Sequence, residues 1–127
     1  MKFIIFIITI VSISFEASGQ IRDCNTLHVG KFKLKSETGS TFITRSAKKQ
    51  VEENADIGVV AIYNVKWINE CTYELRLEKI IQGDSTIVGK KTDVITVHIK
   101  KITSSSYTVV TTSNFTNKEL EREIEIL

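Results

Sequence analysis

Apolar and polar residues alternate with a period of two through most of this chain. Successive side chains of a strand point to opposite faces, so this period predicts strands with one buried and one wet face. In Val29-Gly30-Lys31-Phe32-Lys33-Leu34, Phe32 and Leu34 fall on one side and the lysines on the other. Thr41-Phe42-Ile43-Thr44-Arg45 reads as a second short strand, and Glu37-Thr38-Gly39-Ser40 between them has turn composition. Lys48 to Glu53 is polar apart from Val51 and reads as a short exposed strand or a turn.

The strongest pattern lies in the middle. Ile57 to Ile68 and Cys71 to Ile81 are two long strand-like runs with Asn69-Glu70 as a tight connection, which predicts a hairpin. Val59, Ala61, Tyr63, Val65 and Trp67 share one face of the first run. Cys71, Tyr73, Leu75 and Leu77 share one face of the second, opposite Thr72, Glu74, Arg76 and Glu78. A slip by one residue would expose every apolar side chain, so the register is strongly specified. Glu74 and Glu78 are expected to pair across the strands with Lys66.

Gln82-Gly83-Asp84-Ser85 reads as a turn. Ile87 to Ile102 alternates again, with Ile95, Val97 and Ile99 inward and Gly89 marking a bulge or bend. Thr103 to Ser106 is a polar turn, Tyr107 to Thr112 a β-branched strand, and Asn114 to Lys118 another turn. Lys118 to Leu127 has helix-forming residues, yet Leu120, Ile124 and Ile126 recur at even spacing between glutamates. A strand is expected there, because a closing strand removes an open sheet edge. No segment reads as a crossover helix, which argues against a parallel sheet. The expected fold is all-β: an antiparallel meander of about seven or eight strands, closed or half closed into a small barrel. A two-sheet β-sandwich is the alternative.

The first residues change the picture of what folds. Lys2, an apolar run from Phe3 to Phe15 and the small residues Ala17-Ser18-Gly19 predict a signal peptide over residues 1–19. A single domain over residues 20–127 would remain. The apolar run is short of the ~20 residues that span a bilayer, so no stable membrane anchor is expected after cleavage. The protein is read as exported, periplasmic or extracellular. The even cysteine count then permits one disulfide, Cys24–Cys71, in an oxidising compartment. Closing so long a loop would stabilise the fold by roughly 4 kcal/mol in the chain-entropy picture.

Composition narrows the chemistry. Net charge is +2, with no basic stripe, so nucleic acid is not an expected partner. Two cysteines without Cys-x-x-Cys spacing and two distant histidines suit neither a redox pair nor a metal site, and no metal or cofactor is expected. There is no Gly-x-Ser-x-Gly elbow and no glycine-rich phosphate loop, and the chain is not expected to be an enzyme. Arg45, Gln50 and Glu52 form the polar set of interest. They would line an open barrel mouth and orient a polar head group, or Arg45 would simply pair with Glu52 or Glu53 across a short hairpin. Trp67 and Tyr73, near the hairpin turn, would form an aromatic ligand platform or pack as core against the disulfide.

The chain resembles a group of small exported proteins from Bacteroidota whose function is uncharacterised. The residues that carry the resemblance are Cys24, Gly30-Lys31-Phe32, Arg45, Gln50-Val51-Glu52, Gly89 and the hairpin Trp67-Ile68-Asn69-Glu70-Cys71-Thr72-Tyr73-Glu74-Leu75. The last follows a Trp-x-x-x-Cys-x-Tyr-x-Leu pattern. The resemblance implies a lipocalin-like barrel and an exported protein, and no chemistry. Some members of the group carry a DNA topoisomerase IV label, which nothing in this short, nearly neutral sequence supports.

The expectation is therefore an exported, non-enzymatic, monomeric β-barrel domain that binds a small or apolar ligand in its interior. The alternative is a protein-binding module, such as an inhibitor or envelope accessory protein, acting through an outer sheet face. The interior separates the two. A barrel filled by Phe32, Val65, Leu75, Val97 and Val109 leaves no room for a ligand, whereas a cavity of about 300 Å³ or more favours one.

Overall fold

The computed structural model describes residues 23–127. The expected signal segment, 1–19, and the expected start of the mature domain at Gln20 lie outside the described residues. Eight strands follow in order: β1 (Gly30–Ser36), β2 (Gly39–Arg45), β3 (Lys49–Asn54), β4 (Val59–Asn69), β5 (Thr72–Gln82), β6 (Val94–Ile102), β7 (Ser106–Ser113) and β8 (Leu120–Ile126). Each pairs antiparallel with the next and β8 returns to β1, so the sheet closes into a barrel. The expected all-β meander is thus a closed barrel and not a sandwich. Closure needs the last segment to be a strand, and its alternation delivers one: β8 pairs with β7 from Ser106↔Glu125 to Thr111↔Leu120.

The central hairpin is the longest ladder, with Val65 opposite Leu75 and Trp67 opposite Tyr73. Three register shifts interrupt it. Bulges of this kind bend a strand and increase its twist, which helps a sheet of only eight strands to close. Inward residues Phe32, Ile43, Ala61, Val65, Tyr73, Leu75, Val97, Val109 and Ile124 are all buried and form one continuous core.

Three details depart from the sequence reading. The strand after Gln82 begins at Val94, not Ile87. Asp84 accepts a hydrogen bond from Thr86 N at 2.9 Å and caps a one-turn helix, α1 (Ser85–Val88). Gly89 then ends that helix with φ +111°, a conformation that suits glycine, so it is a helix stop and not a strand bulge. Finally, Glu78 pairs with Lys49 and Glu74 lies 3.6 Å from Arg76, in place of the expected pairings with Lys66. As an interior strand of the meander β4 has a second neighbour, β3, and Lys49 reaches across Asn64 to β5.

Before β1, Asp23 accepts from Asn25 N at 3.1 Å and caps a 3-10 turn, Cys24–Leu27. The Cys24–Cys71 disulfide ties this turn to the β4–β5 connection, with a Cα–Cα distance of 5.2 Å. Leu27 is seated in the core at 1% exposure. Burying a leucine side chain stabilises by about 1.5–3 kcal/mol, so the turn contributes packing as well as a cross-link.

The closing seam is short. β1 and β8 face each other at only two pairs, Phe32↔Ile126 and Lys33↔Glu125, supplemented by Leu127 N donating to Lys31 O at 3.0 Å. Beyond Lys33 the two strands part, and each pairs only with its other neighbour.

Candidate functional site

One end of the barrel is built around a charge. Arg45, the last residue of β2, points inward by the same alternation that buries Ile43, and is 2% exposed. A buried charge is costly unless its hydrogen-bonding capacity is met. Here Nε donates to Gln50 Oε1 at 2.8 Å and Nη1 to Leu27 O at 2.8 Å. Nη2 donates to Tyr73 Oη at 2.9 Å and to Tyr107 Oη at 3.1 Å. The guanidinium also lies between two rings, its carbon 4.6 Å from the centre of Phe32 and 4.7 Å from that of Tyr73. Such stacking over an aromatic face offsets part of the desolvation cost.

The hydrogen bonds continue upward. Gln50 stands directly opposite Arg45 in the β2–β3 register and is equally buried. Its Nε2 donates to Glu52 Oε2 at 2.7 Å, two residues further along the same inward face. Arg45 therefore pairs with neither Glu52 nor Glu53, the simpler hairpin ion pair that the sequence allowed. Glu53 has the outward parity and is exposed, and Gln50 occupies the place directly across from the guanidinium.

Above this floor the barrel is hollow. A cavity of about 320 Å³ is lined by Leu34, Ile43, Leu75, Ile95, Val97 and Val109, with Gln50, Glu52 and Tyr73 beneath and Thr111 and Ser113 at the side. Arg122, Lys118, Leu120 and Phe115 complete its upper wall and mouth, where Phe115 is 58% exposed. A second cavity of about 340 Å³ lies against α1 and shares Leu75, Ile95 and Phe115 with the first. Phe115 thus stands between the two spaces.

Burial sets the ionisation of the floor. It pushes the Glu52 carboxyl upward, against the Gln50 hydrogen bond and the Arg45 charge, which favour the carboxylate but are outweighed. Burial likewise pushes the Tyr73 and Tyr107 phenols up, against the nearby Arg45 charge. Both remain neutral and serve as hydrogen-bond partners.

Four of the five residues singled out from sequence, Arg45, Gln50, Glu52 and Tyr73, come together. The fifth, Trp67, does not line the cavity. It stacks on His28, with ring centres 3.5 Å apart and planes 18° apart, and leans on Tyr73 from behind at 4.5 Å. His28 is anchored in turn by a 2.9 Å contact between Nε2 and Glu70 O. Two participants were missed. Tyr107 shares the inward face of β7 with Val109, and Arg122 shares the even spacing of Leu120, Ile124 and Ile126. In both cases the alternation carried the signal, but only the closed barrel shows what they meet. Among the described residues no group of three or more His, Cys, Asp or Glu is placed to hold a metal ion. No family model, no curated protein and no solved structure matches this chain.

Proposed function

We propose that this protein is a ligand-binding barrel that holds a small, mainly apolar molecule between the Arg45 floor and the Phe115 mouth, without acting chemically on it. The observation that carries this reading is the coexistence of a hydrogen-bonded polar floor with an apolar cavity of about 320 Å³ above it. Protein interiors are close-packed, and voids of that size are few. The volume falls within the range of small-molecule pockets, which are typically apolar with a few convergent polar groups. Gln50, Glu52 and Tyr73 supply those groups. A filled barrel would instead have favoured a module working through its outer face.

In this reading the protein acts after export. The disulfide that pins the 3-10 turn suits an oxidising compartment and keeps the floor rigid. The test uses N-phenyl-1-naphthylamine, a neutral apolar probe, together with native mass spectrometry of protein isolated gently from the cells that make it. Saturable one-to-one fluorescence enhancement is expected, suppressed by Ile95→Trp, which fills the cavity from a half-buried wall position. The mass spectrum is expected to show a co-purifying small molecule. Absence of both a saturable probe signal and a co-purifying molecule would overturn the reading.

A further inference from the structure

Arg122 occupies a place where alternation puts an apolar residue. Leu120, Ile124 and Ile126 share its inward face on β8, and it is half-buried. It also belongs to two spaces at once. It lines the interior cavity and, on the other side, the open surface groove between β1 and β8 where Lys33 and Lys35 stand. This is possible because the two strands part beyond the Lys33↔Glu125 pair. Arg122 sits in that gap, reached from inside and outside.

Its charge stands without a partner among the described residues. Among the described residues, no ion pair or side-chain hydrogen bond involves Arg122 or the ammonium of Lys118. The acids beside it are engaged elsewhere: Glu121 with Lys100 at 2.8 Å, and Glu123 accepting from Ser106 Oγ at 2.8 Å. Glu37, Glu121, Glu123 and Glu125 all line the groove together with Lys33, Lys35 and Arg122, so the groove itself is not positive and the anion-binding side of Arg122 is the one that faces the cavity. Inside the cavity the one acid is Glu52, at the floor, where burial works against its negative charge. The upper wall is therefore positive, and a half-buried guanidinium without a partner is a free-energy cost that a bound anion would relieve.

We propose that the molecule held in the cavity is an anionic amphiphile, with its carboxylate-type head gripped by Arg122 at the β1–β8 gap and its apolar tail against Leu75, Val97 and Val109. The proposal rests on the ligand-binding reading above. A guanidinium presents parallel N–H donors that match a carboxylate. Lys118, at the mouth, adds a second positive charge. The groove keeps one side of the head group in contact with water, so the anion is only partly desolvated while the tail is dry.

The test compares three ligands of equal chain length at neutral pH by isothermal titration calorimetry: decanoate, decanol and decylammonium. Decanoate is expected to bind at least about tenfold more tightly than decanol, as a charge-assisted hydrogen bond allows. Decylammonium is expected to bind more weakly than either. Arg122→Gln should abolish the preference for decanoate over decanol, and Arg122→Lys should keep part of it. Circular dichroism and the melting temperature show whether each variant folds. Equal binding of decanoate and decanol, tightest binding of the amine, or an unchanged preference in a folded Arg122→Gln variant would overturn the anionic assignment while leaving the cavity reading intact. If none of the three binds, the cavity reading itself fails.

Discussion

Arg45 Nε donates to Gln50 Oε1 at 2.8 Å directly across the β2–β3 hairpin, and this neutral pairing lets a guanidinium sit at the foot of an apolar cavity. The charge is held by an amide, a main-chain carbonyl and two phenols, with no carboxylate in contact. Gln50 then orients Glu52 beneath the cavity. Positive charge, amide and carboxyl are stacked along one inward face, and each one fixes the next.

Removing the head of that stack leaves Gln50 Oε1, Leu27 O and the two phenol oxygens buried without the donor they now share. Arg45→Met is expected to cost about 3–5 kcal/mol, because several buried neutral acceptors lose a charged donor at about 1–3 kcal/mol each. Arg45→Lys should recover little of it, because an ammonium cannot reproduce the planar fork or the stacking on Phe32 and Tyr73. Urea denaturation checks both. A loss below about 1 kcal/mol for Arg45→Met would show that the network contributes little net stability.

The disulfide restrains a sequence separation of 47 residues and pins Leu27 against the guanidinium. Replacing both cysteines by serine is expected to lower stability by about 2–5 kcal/mol. Calorimetric melting with and without reductant should show the same shift in the parent protein and none in the variant. A parent melting temperature that does not respond to full reduction would contradict this.

Glu52 makes stability depend on pH with a definite sign. Its folded-state pKa lies above the ordinary carboxylate value, because burial disfavours the charge. Between the two values the folded state holds more protons than the unfolded state. Stability should therefore be greatest below the ordinary value and fall as pH rises through the folded-state value. Glu52→Gln keeps an acceptor for Gln50 and cannot ionise. It should remove this component of the slope and melt higher than the parent at neutral pH. Parallel stability-versus-pH curves for parent and variant would refute the assignment.

Gly39 opens β2 with φ +111°, and a Cβ there would clash with the Asp56 carboxylate. Its Oδ2 accepts from Ser40 N at 3.2 Å, so it cannot easily move away. Gly39→Ala is expected to cost about 1–3 kcal/mol, the usual range for forcing a side chain into such a backbone region. Adding Asp56→Gly, which also removes the Asp56 Cβ 2.7 Å from the new methyl, should return only the part due to the clash, and denaturation midpoints of both single variants and the double variant separate the two.

Much of the fold was legible along the chain because a period of two is a local signal. The faces of the β4–β5 hairpin and the strand character of the last segment followed from which residues sit one or two positions apart, and the bridge from Cys24 to Cys71 from the even cysteine count. The one-turn helix at Ser85 was hidden because Ile87 and Val88 are as apolar as a strand start, and Asp84 betrays it only through its capping bond. For the site, Arg45, Gln50 and Glu52 stood out as a polar set and Tyr73 as an aromatic on the apolar face of the hairpin, but the polar stretch from Lys48 to Glu53 read as exposed, and the structure buries Gln50 at the floor and not at a mouth. Trp67 shares their inward face but meets His28 and the back of Tyr73, a contact that depends on where the 3-10 turn lands.

Parity along each strand thus settled which side chains face the interior of this protein, and the cysteine count settled its staple. Tertiary structure decided which height of the barrel each inward residue occupies and which strand it meets there. Height depends on turn lengths, bulges and the stagger of eight strands summed around a closed circuit, and no local pattern contains that sum. That is why Gln50, and not a glutamate, faces Arg45. It is also why the interior is packed below Tyr73 and hollow above it, and why β1 and β8 part where Arg122 stands.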